Sequence, residues 1–135
     1  MHRESPQSSP LVVASFNGNI VAVQRRTGQV VWQWKHESLG ATRLLMPPGR
    51  VVSASGDEIV CLAYATGALL WRTRVPLFTD TVLLDGDELI FGEAGKVGCL
   101  DVNTGALLWH HPFDGMGQGR VALGVPGNVT QSDAG

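Results

Sequence analysis

A few residues in this chain are of types that could do chemistry. Cys61 and Cys99 could pair as a disulfide or stand as free thiols. His110 and His111 could bind a metal, but they are adjacent. Neighbours on a strand point to opposite faces, so a regular strand cannot bring both to one ion. Two exposed imidazoles on an outer strand would instead blunt an edge. His2 and His36 show no partner in the sequence. "SASGDE" (Ser53–Glu58) and "GEAGK" (Gly92–Lys96) are glycine-bearing turns. They lack the length and the Lys-Ser/Thr ending of a phosphate loop. No serine sits in a nucleophile elbow, and no acidic run has calcium-loop spacing. No catalytic residue, metal site or cofactor is expected.

Stepping from these residues to the elements that carry them, the dominant feature is repetition. "TGALLW" stands at Thr66–Trp71 and again at Thr104–Trp109, and "TGQVVW" at Thr27–Trp32. The steps are 39 and 38 residues. A fixed period near forty marks a repeat architecture. The two cysteines, 38 residues apart, hold the same place in successive repeats. In sheets stacked roughly 10 Å apart they are too distant for a disulfide, which needs Cα atoms within about 7 Å. Both are expected to be free, buried thiols.

Hydrophobic residues make up 44 % of the chain, with 17 Gly and 7 Pro. That supplies a core and many turns, so short strands are favoured over long helices. The second repeat reads as four strands, "TRLLM", "RVVSAS", "IVCLAY" and "ALLWRTRV", separated by "PPG", "GDE" and "ATG". This is the pattern of an antiparallel meander. The third strand is apolar on both faces, which requires a neighbouring sheet on each side. The third repeat aligns as "TVLL", "ELIFGEA", "VGCLDV" and "ALLWHHPF". The first shows only three strands, "LVVASF", "IVAVQR" and "QVVWQWKH", and a single strand is expected near Arg120–Leu123. Three, four, four and one strands make twelve, or three whole sheets. The fold class is therefore all-β, with three four-stranded blades of a β-propeller, a fold that closes with four to eight.

Gly28, Gly67 and Gly105 lie where the third strand turns into the fourth, a place that calls for positive φ. Thr27, Thr66 and Thr104 can brace those turns through local hydrogen bonds. Trp32, Trp71 and Trp109 follow four residues later and are expected to fill the wedge between blades, each indole N–H reaching a backbone carbonyl. "IVAVQRRTGQVVW", "IVCLAYATGALLW" and "VGCLDVNTGALLW" resemble the PQQ-like propeller repeat. The aspartate of that pattern stands only at Asp101; Gln24 and Ala63 replace it. The resemblance implies the fold more than the activity. The same family builds quinone-dependent dehydrogenases, an outer-membrane assembly scaffold and sensor domains on bacterial kinases. Its dehydrogenases would need eight blades, calcium and, in many members, adjacent cysteines, which this sequence lacks.

First strands line a propeller's central channel, so Arg43, Asp80, Thr81 and Arg120 are the candidate binding residues, with a small anion as their ligand. Solvated residues at the channel mouth are the alternative. The domains expected are a polar leader over 1–10, a propeller half over 11–130 and a tail over 131–135. Three blades cannot close alone, so a head-to-tail homodimer of six is expected, each C-terminal strand completing the partner's first blade. The function expected is a non-enzymatic scaffold or binding module. The alternatives are a piece of a longer quinoenzyme or sensor propeller, or a small-molecule sensor with its site in the dimer channel. A net charge of −2 argues against nucleic acid, and no apolar run is long enough for a membrane span. The polar start reads as cytoplasmic, or periplasmic if a signal has been trimmed away.

Overall fold

The computed structural model describes residues 9–130, and within them thirteen strands form four antiparallel sheets. The first sheet holds β1 (Leu11–Phe16), β2 (Asn19–Gln24) and β3 (Val30–Lys35). The second holds β4 (Thr42–Leu45), β5 (Arg50–Ser55), β6 (Glu58–Ala63) and β7 (Leu69–Arg74). The third holds β8 (Thr81–Asp85), β9 (Glu88–Glu93), β10 (Lys96–Asp101) and β11 (Leu107–His111). The fourth is a short hairpin of β12 (Leu123–Val125) and β13 (Asn128–Thr130). The expected leader up to residue 8 and the tail from 131 lie outside the described residues.

Each sheet is a meander because each turn carries residues that accept its backbone. Asn17 and Gly18 both have positive φ, 50° and 77°, as do Ala94 and Gly95 at 49° and 77°. Two consecutive positive values make the tight hairpin turn whose twist matches the flanking strands. Asn takes this conformation readily; alanine takes it only under constraint.

Between the third and fourth strands of each full repeat, and at the matching place in the first sheet, the register shifts by a bulge. It falls at Ala22/Val23, Cys61/Leu62 and Cys99/Leu100. The residue just before each shift pairs directly with a tryptophan: Ala22 with Trp32, Cys61 with Trp71, Cys99 with Trp109. Directly opposed side chains share a face and are close neighbours. A small side chain there leaves room for the indole.

Two apolar layers hold the sheets together. Ile20, Ala22 and Trp32 of the first sheet pack on Val51, Val60 and Leu62 of the second. Val52, Ala54, Ile59 and Cys61, on the other face of the second sheet, pack on Val82, Leu89, Phe91 and Leu100 of the third. The middle sheet is thus buried on both faces, as its two-faced apolar third strand requires. Fully burying one such Val, Leu or Phe stabilises by about 1.5–3 kcal/mol. Strands β1 and β4, β4 and β8, and β8 and β12 are neighbours, so the inner strands converge on one side of the stack.

The C-terminal segment departs from the expected single strand. Residues 119–122 are not in a strand, and β12 begins at Leu123. Pro126 and Gly127 (φ 82°) turn the chain so that β13 pairs back on β12. Proline followed by a positive-φ glycine is the signature of a type II turn. The carbonyl of Val121 accepts from Thr81 Oγ1 at 2.7 Å, and Asn128 Nδ2 donates to the carbonyl of Leu84 at 3.1 Å, which ties this hairpin to β8.

Candidate docking interface

The recurring Thr-Gly turns are built alike. The N–H groups of Gly28, Gly67 and Gly105 donate to the carbonyls of Gln24, Ala63 and Asp101. Thr27, Thr66 and Thr104 each accept, through Oγ1, from the backbone N–H two residues on, at 3.1–3.2 Å. The glycines have φ of 76–79°, a conformation that glycine takes without steric cost and most side chains would strain.

The glycine has a second reason. The ring of Trp32 lies on Gly67 of the next sheet, where a Cβ would sit 2.6 Å from it. Trp71 lies on Gly105 in the same way, at 2.5 Å. Trp32 Nε1 donates to the carbonyl of Tyr64 at 2.8 Å, and Trp71 Nε1 to that of Val102 at 2.9 Å. Thr73 Oγ1 adds a bond to the carbonyl of Gly105 at 2.6 Å. So the tryptophan of each sheet covers the turn of the one after it, and its polar edge is satisfied there.

The two ends of the stack carry the unmet halves of this contact. Gly28 has nothing within 4 Å of where a Cβ would be. Trp109 is 49 % exposed, against 8 % for Trp32. On the side of the first sheet turned from the second, Val12 and Phe16 are exposed.

The first-strand residues do not gather into one site. Arg43 Nε donates to the main-chain carbonyl of Asp80 at 2.6 Å, and its Nη1 to that of Thr42. Thr81 is buried with its hydroxyl bonded to Val121, so it does not line an open channel. Arg120 lies in the irregular segment before β12 and is exposed. The ring of His111 stacks on Phe113 at 4.3 Å and accepts the Phe113 N–H at Nδ1, 3.0 Å away. Cys61 and Cys99 are free and buried, and burial pushes both thiols above their ordinary range.

The sequence reading left His36 without a partner, and the structure corrects that. His36 is 2 % exposed, with Nδ1 2.7 Å from Glu58 Oε1 and Nε2 2.8 Å from Ser53 Oγ. Glu58 also accepts from Glu37 N at 3.1 Å and from Arg72 Nε at 2.5 Å. Arg72 pairs with Glu37 as well. Serine, imidazole and carboxylate stand in the order of a hydrolytic triad. Yet Ser53 and Glu58 are 0 % exposed, so no substrate reaches the hydroxyl. One signal could have found the group: at the place of His36 the later repeats carry Val75 and Phe113, and at that of Glu58 the third carries Lys96.

Four-stranded meanders stacked face to face, with inner strands converging, are the blades of a β-propeller. A protein-family model described as outer membrane protein assembly factor BamB matches residues 16–82. Over those residues the repeats are therefore of the PQQ-like propeller kind. BamB from Moraxella catarrhalis superposes with a TM-score of 0.60 at 23 % identity, over 78 % of this chain and 34 % of that one. The computationally designed Ika8 protein gives 0.72 at 22 %, over 93 % and 41 %. The dihydro-heme d1 dehydrogenase NirN, in complex with DHE, gives 0.68 at 18 %, over 90 % and 29 %. At these identities the likeness is one of fold. This chain spans about a third of the length of BamB. No curated protein matches it. Among the described residues no helix is long and apolar enough to cross a membrane.

Proposed function

We propose that this chain is a non-enzymatic propeller scaffold whose end blades dock onto further blades to complete a ring. One observation carries the reading: Trp109 and Gly28 are the two halves of a contact made twice inside the chain, by Trp32 on Gly67 and Trp71 on Gly105. A second copy supplies the missing halves. Two chains give six blades, within the range of closed propellers, and a two-fold assembly leaves neither end open. In that ring β12 takes the free inner edge of β1. The hairpin partner β13 duplicates the second-strand place that β1 already holds, so it separates from β12 there. The ring's surface then binds a protein, or a small anion beside Arg120. Two free thiols fit a reducing, cytoplasmic setting.

A second reading is favoured by β13 itself. A first and a second strand in sequence are the start of another blade, and a longer chain would continue it. Light scattering separates the two. The intact chain is expected to run at twice its own mass. Trp109→Ala and Gly28→Asn, the latter tolerating positive φ but filling the seat of the indole, are each expected to give folded monomer. A well-behaved monomer from the intact chain would overturn the two-copy ring in favour of the longer propeller.

A further inference from the structure

We propose that His36 is a pH-responsive latch between the first and second blades, holding them together when neutral and loosening them when protonated. The groups around it come from both blades. From the second blade, Ser53 on β5, Glu58 on β6 and Arg72 on β7 converge on it. From the first, Trp34 sets its ring edge-on at 5.6 Å, Glu37 engages Glu58 and Arg72, and Gly18 accepts the His36 N–H. Ser15 Oγ on β1 lies 3.4 Å from Ser53 Oγ.

The donors and acceptors close only one way in the neutral form. Every other neighbour of Glu58 is a donor, so Nδ1 carries the imidazole proton and gives it to Glu58. Nε2 is then the acceptor, and the Ser53 hydroxyl donates to it. An incoming proton must take Nε2. Ser53 would have to reverse, and its hydrogen would be left with Ser15 at a distance long for an O–H···O bond. The new cation would also stand, buried, beside Arg72.

Burial is the largest influence on this imidazole and lowers its pKa; Arg72 lowers it further, and Glu58 opposes both. The net shift is downward from 6.5. The unfolded chain therefore binds the proton more readily than the folded one. The contribution of His36 is full above about pH 6.5 and is lost as the pH falls through the lowered folded value. The boundary between the second and third blades has Val75 in the matching place and so has no imidazole there to take the proton.

Native-state hydrogen exchange tests this in the intact chain at about pH 7.5 and about pH 5, compared as protection factors. Amides of β1–β3 are expected to lose several-fold more protection on acidification than those of β9 and β10, and His36→Gln is expected to abolish the difference. Equal losses in both regions, or an unchanged difference in His36→Gln, would overturn the latch. Imidazole nitrogen NMR of the unmodified protein decides the matter if that variant does not fold. It should show Nε2 bare at neutral pH and a His36 titration below 6.5; a midpoint at or above that value rules the proposal out.

Discussion

Trp71 shows what one residue contributes here. Its ring lies on Gly105, its N–H reaches Val102, and it packs at the edge of the layer between the second and third blades. Trp71→Ala is expected to cost roughly 3–5 kcal/mol in chemical denaturation, the range for truncating a packed aromatic. A loss below about 1 kcal/mol would mean that the ring merely lies on the surface. Ser55 points the other way. Its hydroxyl is buried and has no hydrogen-bond partner. An unsatisfied buried hydroxyl costs about 1–3 kcal/mol, so Ser55→Ala should hold or raise the unfolding midpoint; a clear drop would contradict this account. Cys61 and Cys99, buried and with raised pKa values, should react with a thiol reagent only on unfolding, and rapid labelling of the native protein would refute it. Residues that obey the repeat were legible in the sequence because each appears two or three times in register. His36, Glu58 and Ser53 were not. Their pairing departs from the repeat, and a lone histidine after a strand reads as a surface residue until its neighbours in space are known.

At the level of elements, the strands of all three repeats were legible because their ends coincide with glycine and proline turns. "LVVASF" and "RVVSAS" match β1 and β5 residue for residue. The last element was misread. "GRVALGVPG" matches a first strand by its distance from Trp109, but Gly115, Gly117 and Gly119 loosen the approach. The main chain at Val121 instead turns its carbonyl to Thr81, which delays β12 to Leu123. The return strand β13 is only three residues long, too short to show a period. This element anchors the third blade: Val121 fits against Gly92, where a Cβ would come within 2.7 Å of its Cγ1. Removing the residues after Phe113 is expected to uncover β8, abolish assembly and yield sticky or insoluble protein. A soluble, well-behaved truncated chain in light scattering would show that the hairpin is dispensable.

For the whole molecule, stacked repeats carry a hazard that their regularity creates. Similar blades can seat in the wrong order while the chain folds, and such mispairing is a characteristic failure of repeat proteins. The buried pair of His36 and Glu58 acts as a key against it. If the first blade tried to seat on the third, His36 would meet Lys96 in place of Glu58, and Ser53 would be replaced by Phe91. The imidazole N–H would then be buried with no acceptor, against an ammonium that can only donate. If the second blade tried to seat on a copy of itself, Val75 would leave Glu58 and Arg72 without their histidine. Each misordered stack buries a polar group that the native order pairs through His36 and Glu58. Refolding from denaturant should accordingly give fewer trapped species for the natural sequence than for a chain in which His36 and Glu58 are both made apolar, even if that chain proves the more stable at equilibrium.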